Sequence, residues 1–213
     1  MIVKVCGMRE SENIREVEQA DVDWMGFIFY PKSPRYVDKL PDYLPKSLKR
    51  IGVFVNESIE NILETVKLFQ LDFVQLHGDE SPEICDEMGD NGLKIIKAFS
   101  IENKFPTEKV SAYYGKCDYF LFDTKTSKYG GSGKKFNWDI LSEYHGETPF
   151  LLSGGISPDD IDTVKSFSHP KCIGIDINSK FEIGPALKDA ELAKQFIDKI
   201  REPRLIDNRL VDN

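Results

Sequence analysis

The chain is poor in the residue types that build metal sites and disulfide frameworks. Its 213 residues include only three histidines and four cysteines. The cysteines (Cys6, Cys85, Cys117 and Cys172) lie far apart and form no C-x-x-C pair. A zinc site or a disulfide framework is therefore not expected. We interpret three of the thiols as structural and Cys6 as the candidate for reactivity.

Long apolar runs are also missing. No run approaches the roughly 18 residues of a membrane span, and the N-terminus shows neither the basic region nor the cleavage pattern of a signal peptide. Basic residues are not in excess, because 36 acidic residues outnumber 28 basic ones and leave a net charge of −8. We therefore expect a cytoplasmic protein without nucleic-acid or membrane partners. An anionic ligand is still compatible with this charge, since backbone amides bind phosphate.

The chain does contain a regular alternation of two kinds of segment. Near-continuous runs of Val, Ile, Leu and Phe are typical of strands buried on both faces of a parallel sheet, and amphipathic stretches separate them. Eight such units favour a single-domain (β/α)8 barrel over residues 1–203, with a polar tail over 204–213. The strand count alone leaves a flavodoxin-like sheet as an alternative. We predict strands at 2–6, 24–29, 50–55, 71–76, 93–99, 118–123, 149–153 and 172–177, and helices near 11–19, 36–46, 57–69, 81–89, 106–114, 137–144, 157–167 and 186–201.

Two of the predicted strands end in residues with acid–base chemistry. Cys6 ends the first strand, immediately before Gly7, and Asp123 ends the sixth. In a (β/α)8 barrel both strand ends reach the same rim, where catalytic groups lie. The alternatives are a buried apolar cysteine and an aspartate that makes local backbone bonds. A thiol that acts as a base needs a positive or hydrogen-bonding environment, and Lys4 shares its side of the strand by two-residue parity.

The ends of predicted strands 7 and 8 indicate a phosphate site. Gly154 and Gly155 follow strand 7, and 174–180 forms the next strand and its loop. Barrels commonly bind phosphate with these two loops. A second glycine-rich segment, 130–135, lacks the spacing of a phosphate loop, and we predict a mobile lid there.

The remaining candidates at the rim are an arginine and a histidine. Arg35 stands in a loop stiffened by Pro31 and Pro34. Such a loop suits a guanidinium that must meet a carboxylate, although a solvated surface charge is the alternative. Gln75 and His77 share one side of strand 4, and we interpret His77 as a hydrogen-bonded barrel histidine in preference to a catalytic one.

Seven motifs, taken together, carry a resemblance to a known family. In their order along the chain, from residue 3 to about residue 200, they resemble the phosphoribosylanthranilate isomerases, tryptophan-biosynthesis enzymes built on a (β/α)8 barrel. Each motif alone is modest, but seven in order at barrel rims are specific. The motifs are 4–8, 33–37, 52–56, 74–78, 130–133, 152–155 and 174–189.

The resemblance implies an Amadori rearrangement, an aldose–ketose isomerisation, without metal or organic cofactor. The family converts N-(5-phosphoribosyl)anthranilate to 1-(2-carboxyphenylamino)-1-deoxyribulose 5-phosphate. By this resemblance Asp123 is the general acid that opens the ribose ring, Cys6 is the general base at C2, and Arg35 holds the anthranilate carboxylate. We expect a phosphorylated sugar as the small-molecule substrate, and a monomer or homodimer. The implied substrate-binding residues besides Arg35 are Gly154, Gly155, Asp176, Asn178 and Ser179.

The chain departs from the family pattern at three positions. Lys180 and Ala186 stand where glycine is usual, and Asn137 stands where aspartate often precedes Trp138. A different backbone turn is therefore expected at Lys180, whose ammonium is itself a candidate for phosphate binding. The departures concern phosphate binding and leave the expected reaction unchanged.

Two rival functions fit parts of the pattern. The histidine-pathway isomerase, a sister barrel, uses an aspartate where this chain has Cys6, and it has two phosphate sites where only strands 7 and 8 here suit phosphate. The second rival is a non-catalytic phosphate-binding barrel that senses a ligand. The combination of Cys6 and Asp123 argues against it.

Overall fold

Eight parallel strands close into a barrel in the computed structural model, which describes residues 1–124 and 137–203. The strands follow one another round the barrel in chain order, and the last pairs with the first. The closed sheet confirms the predicted (β/α)8 barrel and excludes the flavodoxin-like alternative. The strands are β1 (Ile2–Cys6), β2 (Trp24–Ile28), β3 (Lys49–Phe54), β4 (Phe73–Leu76), β5 (Ile95–Ile101), β6 (Tyr119–Thr124), β7 (Phe150–Leu152) and β8 (Cys172–Ile177).

The helices between the strands are short, and several have side-chain caps. Ser58 accepts a hydrogen bond from the Asn61 N–H at 3.2 Å and caps the start of the second helix. Asp160 accepts from the backbone N–H of Ser157 at 2.6 Å where the fifth α-helix is approached. The α-helices are α1 (Ser11–Glu18), α2 (Ile59–Phe69), α3 (Pro82–Asp90), α4 (Thr107–Ser111), α5 (Ile161–Ser166) and α6 (Ala190–Arg201), and 3₁₀ helices form at Trp138–Glu143, Pro158–Asp160 and Ser179–Phe181.

The helix predicted near 36–46 is wrong. This fully described stretch between β2 and β3 is irregular, with isolated bends and one bridge between Tyr36 and Ile28. Pro41 and Pro45 lack the N–H that a helix needs, and each disfavours the helical conformation of the residue before it. The carboxylate of Glu18 replaces helical hydrogen bonds here, since it accepts from the backbone N–H of Ser47 at 2.8 Å.

The last predicted helix, 186–201, begins later than expected. Residues Leu187–Lys188 form a short strand, β10, which pairs antiparallel with β9 (Glu182–Gly184), and α6 starts after its cap, Asp189. Ala186, at the turn between these strands, has φ +66°. This left-handed conformation costs a non-glycine residue roughly 1–2 kcal/mol. The geometry explains why glycine is usual at this position.

The core has two layers that follow from strand alternation. On β1, Val3 and Val5 are fully buried in the layer between strands and helices, whereas Lys4 belongs to the barrel interior. The amino-terminal half of the interior is filled by apolar side chains, and Trp24 stacks on Phe73 with ring centroids 5.1 Å apart. This packing closes the lower half of the barrel and leaves a ligand site at the carboxyl ends of the strands.

Two predictions fall outside the described residues. The predicted lid at 130–135 lies within 125–136, and the predicted polar tail is 204–213. The division of the chain at residue 203 into barrel and tail therefore stays a prediction. No α-helix among the described residues has both the length and the apolar content to cross a membrane.

Candidate active site

A cavity of about 830 Å³, its open mouth included, lies at the carboxyl ends of the strands. Every residue that the sequence analysis assigned to the site lines it, so five separate chain segments converge on one space. These residues are Cys6, Arg35, Asp123, Gly154, Gly155, Asp176, Asn178 and Ser179.

Cys6 faces this cavity from the end of β1 and is only 4% exposed. Burial raises the pKa of its thiol above the ordinary value, and the charge of Asp176 acts in the same direction. The ammonium groups of Lys4 and Lys188 lower the pKa and offset part of this effect. On the neighbouring strand a Cβ at Gly26 would lie 2.8 Å from the sulfur, so glycine makes room for the thiol. The thiol is thus enclosed, with cations nearby.

A buried ion pair lies beneath Cys6 in the barrel interior. Lys4 is 0% exposed, and its Nζ donates to Oδ1 of Asp176 at 2.9 Å. Ser153 donates from its hydroxyl to the other carboxylate oxygen at 3.2 Å. Burial alone would lower the pKa of Lys4, but Asp176 and Cys6 raise it above its usual range. Removing one partner of such a pair costs roughly 3–5 kcal/mol, because the other charge stays buried.

Asp123 faces the cavity from β6, and its two carboxylate oxygens have different neighbours. Oδ1 accepts from the backbone N–H of Thr124 at 2.8 Å, and Oδ2 lies 3.4 Å from Nε2 of His77. The loop after β7 passes close to this end of β6. A Cβ at Gly154 would lie 2.3 Å from the Thr124 hydroxyl oxygen, and Gly154 has φ +95°. Both the contact and the conformation require glycine here.

Arg35 is not the solvated surface charge that the sequence left as an alternative. It is 8% exposed and donates to Glu182 from Nε at 2.8 Å and from Nη2 at 2.6 Å. Burial opposes ionisation of Glu182, but Arg35 and Lys188 hold the pKa of that carboxyl below its usual value. A guanidinium has five N–H groups, so the pair leaves three for a further partner in the cavity.

Lys188 and Glu182 do not line the cavity but hold residues that do, and sequence reasoning missed both. Lys188 is 1% exposed, pairs with Glu182, and donates to Oδ1 of Asn178 at 2.8 Å. The cluster packs on the turn after Cys6, where a Cβ at Gly7 would lie 2.6 Å from Cδ of Arg35. Their segment was predicted to be partly helical, and no spacing in the sequence indicated buried charges there.

The predicted phosphate-binding end is built from glycine backbone and one amide. Gly154 and Gly155 have φ values of +95° and +69°. Because Oδ1 of Asn178 already accepts from Lys188, its amide N–H groups are the part that can donate to an anion. Lys180 is exposed in a 3₁₀ turn with no left-handed backbone, so glycine is not required there. Its side chain does not line the cavity among the described residues.

The structure accounts for the third departure from the family pattern, Asn137 in place of the usual aspartate. Its Oδ1 accepts from the backbone N–H of Asp139 at 3.1 Å and caps the 3₁₀ helix that begins at Trp138. An aspartate would supply the same acceptor oxygen. The substitution therefore preserves the local structure.

An apolar wall completes the cavity on the side of β2 and β3. Ile28, Val53 and Val55 line it there, together with Tyr30. Arg35 follows these strand ends in the same part of the cavity. An apolar wall beside a guanidinium suits a flat ring that carries a carboxylate.

The fold and this site define a (β/α)8-barrel enzyme with acid–base groups at the carboxyl ends of its strands. The family model described as N-(5'-phosphoribosyl)anthranilate (PRA) isomerase matches residues 3–199. The chain belongs to this family.

Individual relatives are similar to this chain over nearly its whole length. The N-(5'-phosphoribosyl)anthranilate isomerase of Phocaeicola vulgatus is 55% identical over 202 residues, which cover 95% of this chain and 98% of that protein. The structure of monomers generated from the dimeric enzyme of Thermotoga maritima is 30% identical with a TM-score of 0.78, covering 94% of this chain and 98% of that one. A phosphoribosyl anthranilate isomerase in complex with reduced 1-(o-carboxyphenylamino)-1-deoxyribulose 5-phosphate is 31% identical, with the same TM-score and coverage. These similarities decide against both rival functions.

Proposed function

We propose that Cys6 and Asp123 are the base and the acid of the isomerisation that defines this family. The chain is a PRA isomerase of tryptophan biosynthesis, an intramolecular aldose–ketose isomerase. One observation carries the assignment of roles: the thiol at the end of β1 and the carboxyl group at the end of β6 line the same cavity. General acid–base catalysis needs two such groups within reach of one substrate.

Ring opening is the first step. The O–H bond of protonated Asp123 breaks, the ribose ring oxygen takes the proton, and the bond from C1 to the ring oxygen breaks. The nitrogen of the anthranilate group then shares its electron pair with C1, which gives a cationic Schiff base. The carboxylate left on Asp123 keeps the hydrogen bond from the Thr124 N–H at 2.8 Å.

Proton removal from C2 is the second step. The cationic Schiff base makes this C–H bond acidic enough for a thiolate base. The Cys6 thiolate takes the proton, and the electron pair forms the double bond between C1 and C2 of an enolamine. Protonation at C1 and loss of the proton from the C2 hydroxyl then give the ketone. The ammonium of Lys4 below the sulfur favours the thiolate, since its charge lowers the pKa of Cys6.

The anthranilate group is held at the apolar wall by Arg35. Two of its N–H groups bind Glu182, which fixes the plane of the guanidinium. The remaining edge can bind a carboxylate through two parallel hydrogen bonds. A charge-assisted pair of this kind orients the ring as well as binding it.

The phosphate is held at the opposite end by the loops after β7 and β8. Gly154 and Gly155 have no Cβ, so a phosphate oxygen can approach their N–H groups directly. The Asn178 amide and Ser179 add donors on the facing loop. Asp176 acts indirectly, since its carboxylate is bound to Lys4 and Ser153 below the cavity.

The proposal extends to partners and location. We place the enzyme in the cytoplasm as a monomer or homodimer, with a phosphorylated sugar as its substrate and without nucleic-acid partners. The net charge of −8 supports the last point. A dimeric enzyme among the structural relatives supports a homodimer as one of the two states. Light scattering coupled to size-exclusion chromatography measures the oligomeric state directly.

The activity is tested with freshly made phosphoribosylanthranilate. We expect the fluorescence of its anthranilate group to fall on addition of the wild-type enzyme. The substrate of the histidine-pathway isomerase, supplied in a parallel assay, should not be converted. Turnover of that substrate alone would contradict the proposed specificity.

A further inference from the structure

Gln75 and His77 form a pair whose function the proposed mechanism does not use. Both line the cavity from the end of β4 and its loop. The amide Nε2 of Gln75 lies 2.9 Å from Nδ1 of His77. Gln75 is 1% exposed, and its Oε1 is buried without a hydrogen-bond partner among the described residues. The contact is therefore made by the amide nitrogen of Gln75, which can only donate.

His77 lies against the carboxyl group of Asp123. Its Nε2 is 3.4 Å from Oδ2, and the two side chains are 15% and 13% exposed. Because the Gln75 amide donates to Nδ1, the neutral imidazole carries its proton on Nε2. The opposite tautomer would place a bare nitrogen lone pair against the carboxylate that forms once Asp123 has given up its proton, which is repulsive. In this tautomer Nε2 carries the proton on the side of the 3.4 Å contact with Oδ2 of Asp123, a distance longer than that of an ordinary hydrogen bond.

The backbone around His77 is held by a buried ion pair. Lys97 and Glu80 are 1% and 3% exposed and pair at 3.0 Å. Lys97 also donates to the carbonyl oxygen of Gly78 at 2.9 Å, and Glu80 accepts from the Gly78 N–H at 3.0 Å. The His77 N–H donates to the carbonyl of Phe54 at 2.9 Å. The imidazole is thus presented from a rigid loop.

We propose that His77 is a positioning residue for the isomerisation: with its tautomer set by Gln75, it holds Oδ2 of Asp123 through Nε2–H. The inference rests on the proposed role of Asp123. Together with the Thr124 N–H on Oδ1, this contact fixes the carboxyl group from both sides. When Asp123 gives its proton to the ring oxygen, the Nε2–H stabilises the carboxylate that remains. His77 keeps its own proton throughout, so the step balances without a relay.

Other ionisable groups surround the pair and bear on its pH dependence. Lys97 on β5 is bound to Glu80 beneath the loop, and its charge is neutralised there. Apart from His77 and Asp123, the ionisable groups that line the cavity, among the described residues, are Cys6 on β1, Tyr30 and Arg35 after β2, and Asp176 on β8.

The test uses kinetics of His77 variants against pH. His77→Leu removes the N–H, and we expect kcat to fall about 10- to 100-fold, since hydrogen bonds to charged groups are worth that much, while KM changes less than about threefold. One limb of the kcat profile should move by at least about half a pH unit. His77→Gln, which restores an N–H at a similar reach, should return most of the kcat and the wild-type profile. The exposed His145 provides a matched control, and His145→Gln should leave both unchanged.

A second measurement does not depend on activity. The protein has three histidines, so ¹⁵N spectra of the labelled wild-type chain can be assigned by single substitutions. We expect a protonated Nε2 and an unprotonated Nδ1 for His77, and a mixture of tautomers in Gln75→Leu. Protonation on Nδ1 in the wild type would overturn the inference.

The outcomes separate the two proposals. A wild-type enzyme without isomerase activity contradicts the proposed function, whereas the tautomer is still measurable. An active wild type, an inactive Asp123→Asn, and a His77→Leu variant with wild-type kcat and pH profile would overturn only the positioning role. If His77→Leu does not fold, His77→Gln and the spectra of the wild type still decide.

Discussion

Arg35 and Glu182 form a two-point ion pair across the mouth of the barrel, with hydrogen bonds of 2.8 and 2.6 Å. The pair joins the loop after β2 to the hairpin after β8, 147 residues further along the chain. Lys188 binds the same carboxylate from the other strand of that hairpin. A substrate carboxylate that reaches Arg35 therefore meets a guanidinium that is already oriented.

Arg35→Ala should raise KM more than it lowers kcat. In the proposed function the guanidinium binds the anthranilate carboxylate to a similar extent in the ground state and the transition state. Glu182→Gln should raise KM by a smaller factor, because the arginine stays but loses its fixed plane. Steady-state kinetics on both variants measures this.

The control for this pair is Lys32→Ala, an exposed charge in the same loop. It should leave KM near the wild-type value. An unchanged KM in Arg35→Ala would show that Arg35 serves only to hold the hairpin.

The pH dependence of kcat/KM follows from the burial of Cys6. In the proposed mechanism the Cys6 thiolate is the base. Burial raises the pKa of its thiol above the ordinary value, so the active fraction of the free enzyme keeps growing as the pH rises into the alkaline range. Lys188→Met removes a charge that lowers this pKa. The rising limb should therefore move to higher pH in that variant. A limb that stays in place would mean that the ammonium of Lys188 does not act on the thiol.

Gly155→Val should raise KM strongly, and Lys180→Ala should raise it little. Gly155 has φ +69°, so a branched side chain both strains the backbone and blocks the N–H groups. Lys180 is exposed, and its charge acts through screening solvent. Inorganic phosphate should inhibit Gly155→Val less well than the wild type. The reverse order of damage would indicate a lysine clamp.

Glu18 makes stability depend on acid pH. Burial opposes its ionisation, but hydrogen bonds from Tyr43, Ser47 and Lys46 lower the pKa of its carboxyl to about 2 from 4.5. Its stabilising contribution is therefore present above about pH 4.5 and is lost as the pH falls towards 2. Glu18→Gln should lower Tm at pH 7, and the difference from the wild type should shrink below pH 4.5. A constant difference across this range would contradict the assignment.

The barrel could be predicted because its strands are buried on both faces, and such strands have near-continuous apolar sequences. The prediction failed where local pattern and proline conflict, as in 36–46, where Pro41 and Pro45 exclude the helix. It also failed at 186–201, since the strand pairing of β10 depends on a contact with β9. Pairing between segments is not readable from the local pattern of either one.

The candidate site, like the fold, was predictable from the sequence in part. The convergence of Cys6 and Asp123 on one cavity could be predicted because parallel strand ends meet at one rim. Their roles as base and acid stay a prediction that rests on the resemblance. Glu182 and Lys188 could not be placed, because each matters through a partner distant in sequence. Gln75 and His77 could be placed on one side of strand 4, but not the contact of His77 with Asp123. The contacts of these residues depend on the closed barrel and cannot be inferred from their local sequence.

The turnover of Cys6→Ser and Asp123→Asn, measured by loss of anthranilate fluorescence, tests the central claim most directly. Each variant should reduce kcat by at least about 10²-fold, in line with general acid–base contributions, while circular dichroism and Tm stay close to the wild type. Near-wild-type turnover in either folded variant would contradict the assignment of that residue as the base or the acid.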